Sequence, residues 1–452
     1  MSFESSTSSK AILWSAAALA GASAVGILYW SRRTHVYEQY VPIQYQYRPG
    51  TISGWLANAL SKYSKKRRKI RPVRVYVDGC FDMMHYGHAN ALRQAKAVGD
   101  QLVLGLVPES EILKNKGPPV MNDEERYIMV EAVKWVDEVI TGVPYDLSPQ
   151  FCQELFTKHR IDYIIHGDDP CLLPDGTDAY AYAKKLGRFR MIKRTEGVST
   201  TDIVGRMLTC TRVNPFVASD EPHPLAKSFS MAADKAEEDD EEVPNAASPM
   251  KRISHSHNTT LSRFLPTSRR LEQFSNGRVA PEGARIVYID GAFDVFHPGH
   301  VKVLQAAKAE GDFLLVGLHT DDDVQRRRGP HLPIMNLHER SLSVLACKYV
   351  DEVVIGAPTV ITRDIVSTFN ISLVVRGSVS EMSGVRAPDE SRYEVPKSMG
   401  IFRPLSSAAP DMSTRNIIHR IVNKRTEFEA RNAKKTVSEA KYQASKTYVQ
   451  EL

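Results

Sequence analysis

The stretch VYVDGCFDMMHYGHANAL, residues 75–92, carries most of the information about the fold. It opens with apolar and β-branched residues, reaches Asp78 and Gly79, and then places two histidines, His85 and His88, around a glycine. After the second histidine, apolar residues recur at the spacing of one helix face. The pattern therefore predicts a buried strand, a tight turn that holds both histidines, and a helix.

Nearly the same stretch occurs again as VYIDGAFDVFHPGHVKVL, residues 287–304, with Asp290 in the place of Asp78 at an offset of 212 residues. Further along, KWVDEVITGVP is matched by KYVDEVVIGAP at an offset of 214 residues, taken from Asp137 to Asp351. The offset changes only by two residues inserted near His331 and Leu332, so the match extends over a whole duplicated domain.

Each copy alternates apolar strand patterns with helical ones. In the first copy, QLVLGLV, VDEVITGV and DYIIHG follow the opening strand, separated by helical stretches. Continuous apolar strands of this kind predict a parallel sheet covered on both faces, here a Rossmann-like α/β unit of about five strands. Functional sites in such sheets lie beyond the carboxyl ends of the strands, which is where both histidine pairs fall.

The predicted organisation is two tandem domains joined by a flexible linker. The intervening segment contains AEEDDEE and many serines without apolar periodicity, so it is not expected to build a core. The tail is polar and rich in helix formers, and we expect a solvated helix there, with a partner-binding helix as the alternative. The boundaries are residues 72–210 and 282–422 for the domains, 211–281 for the linker and 423–452 for the tail.

Composition places few limits on function. The formal net charge of +6 over 452 residues is too small to indicate nucleic-acid binding. The five cysteines are odd in number and form no CxxC pair, which favours reduced thiols in a cytosolic setting.

The N-terminal region predicts a membrane anchor. Residues 11–30 are uncharged and about as long as one transmembrane helix, and Arg32 and Arg33 follow at once. A basic juxtamembrane segment, residues 31–71, leads into the cationic run Lys62 to Arg74, so the positive-inside rule places the domains in the cytosol. The alternative is a cleaved signal peptide. The cationic run is either a site for anionic lipid head groups or a solvated linker.

The two histidines of each copy are better suited to phosphate than to metal. Zinc requires three or four ligands, and neither copy offers a third Cys or His at a matching spacing, so we predict no metal site. Gly79 and Gly87 allow the main chain to approach a nucleotide, and the following helix directs free N–H groups towards an anion. Two imidazole donors could then stabilise the charge that develops during substitution at phosphorus.

A second motif, RTEGVSTTDIVGRM, begins at Arg194 in the first copy. Ser199, Thr200 and Thr201 stand where a helix should begin, and their hydroxyls and free amides could hold a triphosphate. Arg194 offers a planar fork for phosphate oxygens. The alternative is an ordinary helix cap beside a surface charge.

These motifs carry a resemblance to a known family. HxGH after a first strand resembles the nucleotidyltransferase superfamily, and RTEGVST resembles the RTxGxST signature of cytidylyltransferases. Two tandem copies with a long linker are similar to the ethanolamine-phosphate cytidylyltransferases, and the apolar N-terminus resembles their plant and algal form. The resemblance implies attack of phosphoethanolamine on CTP to give CDP-ethanolamine and pyrophosphate, within phosphatidylethanolamine synthesis.

The resemblance also implies that Mg²⁺ is carried with CTP, that no cofactor is tightly bound, and that the anchor lies in the endoplasmic reticulum or the mitochondrial outer membrane. Phosphocholine or adenylyl transfer and a membrane-anchored nucleotide-binding regulator remain alternatives, and a homo-oligomer is left open.

The residues implied to act form three sets. The catalytic set is His85, His88, Lys116, Arg194, His297 and His300. The set implied to contact CTP is Cys80, Phe81, Gly87, His166, Gly167, Ser199, Thr200 and Thr201 in the first copy, and Ala292, Phe293, Val301, Lys302, Val303, Arg328, Arg376, Gly377, Ser378, Val379, Met412, Ser413, Thr414, Arg415 and Asn416 in the second. The candidates for binding the substrate amine are Asp82, Asp168, Asp178 and Tyr180, with Asp169 beside them.

The second copy departs from the pattern at the predicted triphosphate site. Arg328 stands at the position of Lys116, and Ala408 stands at the position of Arg194, while Arg415 offers partial compensation. We therefore expect the first copy to do most of the chemistry and the second to bind nucleotide or to shape the first.

Overall fold

Two five-stranded parallel sheets organise the chain, one in each copy of the repeat. The computed structural model describes residues 71–169, 171, 176–213, 266–378, 390–406, 409, 411–445 and 449–452. The predicted anchor, nearly all of the basic segment after it, the centre of the linker, Val379 and Ala408 lie outside the described residues. Within those residues, no helix is both long and apolar enough to cross a membrane.

The first sheet has the strand order β3-β2-β1-β4-β5. Its strands are β1 (Arg74–Gly79), β2 (Gln101–Leu106), β3 (Glu138–Thr141), β4 (Tyr163–Gly167) and β5 (Phe189–Ile192). The helices of this copy are α1 (Tyr86–Val98), α2 (Glu109–Asn115), α3 (Asp123–Glu131), α4 (Pro149–Thr157), α5 (Ala181–Lys185) and α6 (Thr200–Val213).

The second sheet repeats this topology in the order β10-β9-β6-β7-β8. Its strands are β6 (Ile286–Gly291), β7 (Phe313–Leu318), β8 (Glu352–Ile355), β9 (Ile371–Gly377) and β10 (Phe402–Leu405). The remaining helices are α7 (Pro266–Phe274), α8 (Pro298–Lys308), α9 (Asp321–Arg328), α10 (Leu337–Leu345), α11 (Arg363–Thr368), α12 (Glu394–Ser398), α13 (Thr414–Asn423) and α14 (Arg425–Ser445), with a 3-10 turn at Glu390–Tyr393.

The apolar strands are buried because helices cover both faces of each sheet. The central strand residues Val75, Tyr76, Leu102 and Val103 are fully buried. A parallel sheet needs this protection, and its strands accordingly lack the alternation of a half-exposed strand. The predicted fold of two tandem α/β domains with parallel sheets is confirmed, with five strands in each.

The two copies pair with each other through reciprocal ion pairs. Arg206 of α6 binds both carboxylate oxygens of Glu339, at 2.7 and 3.0 Å. Arg420 of α13, its equivalent in the second copy, binds both oxygens of Glu125 at 2.7 Å. Planar bidentate pairs of this kind fix orientation as well as distance. The chain thus brings its own duplicate into a pseudo-symmetric pair.

The structure corrects the predicted ends of the linker. Helix α6 continues to Val213, and α7 forms near the other end of the predicted segment 211–281. Phe274, at the end of α7, is fully buried, and its ring meets that of Trp135 edge-on with 5.1 Å between centroids. One buried aromatic side chain therefore attaches this part of the predicted linker to the first domain.

Candidate active site

The first histidine pair, His85 and His88, lies between β1 and α1. His85 caps α1, and its Nδ1 accepts a hydrogen bond from the main-chain N–H of Gly87 at 3.1 Å. In return, the Nδ1 of His88 accepts from the main-chain N–H of His85 at 3.4 Å. The two rings stack with 4.0 Å between their centroids. The motif spacing is thus used as a reciprocal helix cap made of imidazoles.

This arrangement sets the protonation of both rings. Because each Nδ1 accepts a hydrogen bond, the neutral imidazole carries its proton on Nε2. Burial lowers the pKa of His85 well below its ordinary value. Burial, with the positive charges of Lys116 and Arg194, lowers the pKa of His88 to about 4. At neutral pH the pair therefore consists of two neutral rings with Nε2–H donors.

Gly87 is required by the histidine itself. A Cβ placed on Gly87 would lie 2.9 Å from the His85 ring and 2.8 Å from Val198. Real Cβ atoms do not come that close, so any side chain here would push the ring away. Gly87 is predicted to let the main chain approach a nucleotide, and its contact with the His85 ring is a second, packing reason for a glycine at this position.

Strained backbone holds the turn in both copies. Phe81 and Met83 have φ of 46° and 50°, and Phe293 and Val295 have φ of 50° and 48°. Side-chain-bearing residues rarely adopt this left-handed region, and strain of this kind persists only where packing enforces it. In the first copy it places the Phe81 ring edge-on to His88 at 5.7 Å.

A buried arginine that no sequence motif marks supports the same edge of the sheet. Arg126 is fully buried, and it donates to the carbonyls of Cys80 and Val107, each at 2.7 Å. These carbonyls follow β1 and β2. The guanidinium therefore joins the loops that carry the site, and Arg340 does the same in the second copy through Ala292 and His319.

The RTEG segment lies against the helix of the histidine pair. Asn90 of α1 donates to the hydroxyl of Thr195 at 2.9 Å. Ser199 caps α6, because its hydroxyl accepts from the N–H of Asp202 at 3.1 Å. Thr200 donates to the carbonyl of Asp82 at 3.1 Å. Ser199 therefore acts as a helix cap, which was the alternative to a role in binding phosphate. The other N–H groups in the first turn of α6 have no partner within the helix, and they lie at the edge of the site.

The cations predicted to hold phosphates stand at different places on this edge. Lys116 follows α2 and is exposed, with its Nζ 5.5 Å from the centre of the Tyr145 ring. The guanidinium of Arg194 forms an ion pair with Glu439 of the tail helix at 2.7 Å. His166 and Gly167 end β4, as predicted, and the His166 ring contacts that of Tyr180 in a tilted arrangement with 4.5 Å between centroids.

The predicted amine-binding residues have other partners. The Asp82 carboxylate accepts from the N–H groups of Val120 and Met121 and therefore supports the loop before α3. Asp178 pairs with Lys184. One oxygen of Asp168 accepts from the main chain of Arg194 and from the Tyr442 hydroxyl, each at 2.9 Å. The other oxygen of Asp168 is buried without a hydrogen-bond partner among the described residues.

Asp78 is a better-placed carboxylate that was missed as an amine candidate. It lies at the carboxyl end of β1 and accepts a hydrogen bond from the Tyr180 hydroxyl at 3.0 Å. Burial raises the pKa of Asp78 above its ordinary value. In the described part of the chain, no arginine or lysine forms an ion pair with it. Its position directly after the first strand was the available signal.

The second histidine pair, His297 and His300, repeats the stacked geometry with 3.8 Å between ring centroids. Ser413 caps α13 through the N–H of Asn416, and Thr414 donates to the carbonyl of Asp294. Arg376 lies over the rings of Tyr393 and Phe402. The other predicted contacts of this copy follow β6 (Ala292, Phe293), lie on α8 (Val301, Lys302, Val303), end α9 (Arg328), end or follow β9 (Gly377, Ser378), or surround the start of α13 (Met412, Arg415).

The second copy differs from the first at the aspartate. Asp290 accepts from the Tyr393 hydroxyl at 2.9 Å, as Asp78 does from Tyr180. It also pairs with the guanidinium of Arg392 and lies 2.8 Å from the His319 ring. Burial opposes ionisation, but the hydrogen bond from His319 and the charge of Arg392 hold the pKa of Asp290 below its ordinary value. The second copy therefore neutralises its aspartate internally.

The corresponding places in the first copy are apolar. Val107 follows β2 where His319 follows β7, and each donates its main-chain N–H to the glycine that ends the central strand. Ala179 precedes Tyr180 where Arg392 precedes Tyr393. The two sites therefore share a scaffold but differ in whether a cation is built in.

No group of three potential metal ligands lies together among the described residues. What the site offers is donors and cations: two imidazole N–H groups, the N–H groups at the start of α6, Arg194 and Lys116. Such a set suits the phosphates of a nucleotide.

Comparisons with known proteins agree with this chemistry. The cytidylyltransferase-like family model matches residues 76–206 and 288–420. An ethanolamine-phosphate cytidylyltransferase of Arabidopsis thaliana is 57% identical over 84% of this chain and 88% of its own length. Relatives of the same name from Dictyostelium discoideum and Mus musculus are 45% and 44% identical, each over 82% of this chain and over 97% and 90% of their own lengths. The chain belongs to the ethanolamine-phosphate cytidylyltransferase family.

Proposed function

We propose that this chain transfers the cytidylyl group of CTP to phosphoethanolamine, giving CDP-ethanolamine and pyrophosphate. A phosphate oxygen of phosphoethanolamine attacks the α-phosphorus of CTP, and the bond to the bridging oxygen of the leaving pyrophosphate breaks. The names of the relatives support the substrates. The residues around Asp78 support in particular a substrate that carries an amino group.

The first histidine pair stabilises the transition state in this proposal. Negative charge grows on the oxygens of the α-phosphoryl group as the new bond forms, and two neutral Nε2–H donors strengthen their hydrogen bonds to it. By analogy with the removal of one oxyanion-hole donor, each Nε2–H donor lowers the activation free energy by about 3–4 kcal/mol. The stacked, capped geometry holds both donors before substrate arrives, so no reorganisation is needed.

Neither a general base nor a covalent intermediate is required. The second pKa of a phosphate monoester is about 6, so the nucleophile is already ionised at neutral pH. Arg194, Lys116 and the start of α6 bind the triphosphate, and Mg²⁺ would be carried by the phosphate oxygens themselves. Catalysis is then positioning and charge stabilisation.

The observation that carries the assignment of the amine is the difference between Asp78 and Asp290. Asp78 has a raised pKa, and among the described residues no arginine or lysine forms an ion pair with it, although Lys116 and His166 act on it from further away. Such a carboxylate is ready to bind an ammonium group, which supplies the positive charge and the hydrogen bonds. In the second copy Arg392 already supplies the positive charge beside Asp290. We therefore propose that phosphoethanolamine binds in the first domain and that the second binds nucleotide without turning over the amine.

We also propose that residues 11–30 anchor the enzyme in a membrane with both domains in the cytosol, either the endoplasmic reticulum or the mitochondrial outer membrane. The support is an uncharged stretch followed by Arg32 and Arg33. Comparing membrane retention of the full chain with that of a version starting at Lys69 tests the proposal. Equal retention would contradict it.

The central test is product identification. Purified protein is incubated with CTP labelled on the α-phosphate and Mg²⁺, and with either phosphoethanolamine or phosphocholine. Labelled CDP-ethanolamine and an equal amount of pyrophosphate are expected. Preference for phosphocholine would reassign the amine, and CTP binding without either product would indicate a nucleotide-binding regulator.

A further inference from the structure

The tail helix α14 places one face on the first site, where a solvated helix was expected. Arg431 donates to the carbonyl of Pro118 at 2.7 Å, directly beside the Lys116 loop. Further along the helix, Glu439 pairs with Arg194 at 2.7 Å, and the Tyr442 hydroxyl donates to Asp168 at 2.9 Å. These residues recur at helical spacing, so they share one side of α14.

Apolar burial holds the helix there. The Phe428 ring is 1% exposed and Tyr442 is 6% exposed. Asn432 also donates to the carbonyl of Thr201, in the first turn of α6, at 3.2 Å. The contacts therefore reach from the loop after α2 to the start of α6, which are the two parts of the chain assigned above to the triphosphate.

Lys435 lies in the middle of this face. It follows Arg431 by one helical turn and precedes Glu439 by one turn, so its side chain stands between the loop at Pro118 and Arg194. Partial loss of solvation and the nearby positive charges of Lys116 and Arg194 lower the pKa of Lys435, and the carboxylates of Asp169 and Glu439 oppose this shift. Cations from three separate segments therefore lie near one another here, with Asp169 and Glu439 as the nearby carboxylates, and a bound phosphate would reduce the remaining repulsion.

The helix leaves open space beside the start of α6. A cleft of about 900 Å³ adjoins the side of α14 next to Lys435, and its walls include Ser199 and Thr201 at the start of α6, Asn432, Thr436 and Glu439 of α14, and Asp321 and Asn336 of the second copy. The tail therefore lines the approach to the start of α6 without filling it.

We infer that Lys435 is a CTP-binding residue of the first site, contributed by the C-terminal helix to the β- or γ-phosphate. The inference rests on the proposed function, because it assumes that the triphosphate lies at the start of α6. It makes the tail the third component of the triphosphate site, with the Lys116 loop and the RTEG segment.

The test uses Lys435→Ala in the full chain, with Lys434→Ala as the matched control. Both lysine side chains are partly open to solvent, and Lys434 carries the same charge on the same turn, but it does not lie on the contacting face. For Lys435→Ala we expect the Kd and the KM for CTP to rise about tenfold or more, with the Kd for CMP and the KM for phosphoethanolamine unchanged. Lys435→Arg should restore most of the affinity.

A merely structural effect would move CMP and CTP together and would lower the melting temperature. Equal CTP affinity in Lys435→Ala and Lys434→Ala would overturn the inference, and so would tighter CTP binding or faster turnover in Lys435→Ala, which would mean that the helix obstructs the site. Because binding is measured apart from turnover, unaltered protein that binds CTP but makes no CDP-ethanolamine would refute the proposed reaction and still test the lysine.

Discussion

Replacing Asp78 with asparagine tests the proposed amine site directly. Asparagine keeps the size of the side chain and an oxygen that can accept the hydrogen bond from the Tyr180 hydroxyl. In the structure that hydroxyl lies 3.0 Å from the Asp78 carboxylate oxygen. It removes the negative charge that an ammonium group needs. The variant therefore changes the electrostatics of the site while preserving its shape.

The expected loss follows from the value of a charged hydrogen bond. Such a bond contributes about 1.5–3 kcal/mol. At about 1.4 kcal/mol per factor of ten, the KM for phosphoethanolamine should rise about 10- to 150-fold in Asp78→Asn. The KM for CTP should stay within about twofold, because the proposed CTP contacts do not involve this carboxylate. Steady-state kinetics with each substrate varied in turn measures both.

The same variant should change the pH dependence of amine binding. Because burial raises the pKa of Asp78, lowering the pH protonates this carboxyl earlier than an exposed one. The KM for phosphoethanolamine should therefore rise as the pH falls in the unaltered enzyme. In Asp78→Asn this rise in KM at low pH should vanish. The pH dependence that remains should come only from the ionisation of the substrate phosphate.

Asp290→Asn is the matched control in the second domain. Asp290 already pairs with Arg392 and His319, so its loss should destabilise the second domain and leave the KM for phosphoethanolamine unchanged. The converse change, Ala179→Arg, would install a cation beside Asp78 and should abolish amine binding. Equal effects of Asp78→Asn and Asp290→Asn on this KM, or an unchanged KM in Asp78→Asn, would refute the reasoning.

Three further predictions concern the histidines and their support. Changing the first histidine pair to alanine should lower kcat by at least about 10³-fold, while the same change in the second pair should cost less than tenfold; equal losses, measured with labelled CTP, would contradict the asymmetry. Gly87→Ala should displace the His85 ring and lower kcat about tenfold or more, whereas Gly205→Ala, with no atom within 4 Å of its Cβ, should leave kcat unchanged and raise the melting temperature slightly; equal kcat values for the two variants would contradict this packing role. NMR titration should show the His88 ring neutral down to about pH 4; a midpoint above pH 6 would contradict the neutral-donor mechanism.

Sequence alone was enough for the features that local patterns encode. The duplicated stretch from Val75 to Leu92 predicted a strand, a turn and a helix in each copy, and the apolar strands predicted two parallel sheets. These are properties of neighbouring residues, because side-chain spacing reports directly on strand and helix periods. The strand-to-helix position of each histidine pair follows from the same local logic.

The character of each site was decided by contacts between distant segments. Arg392 reaches Asp290 across 102 residues of sequence, and the first copy has Ala179 in the matching place, which no local pattern marks as important. The tail looked like a solvated helix because its composition is polar, yet Phe428 is buried and Glu439 meets Arg194 245 residues away. Charge neutralisation and burial depend on which surfaces meet, and only the folded chain determines that.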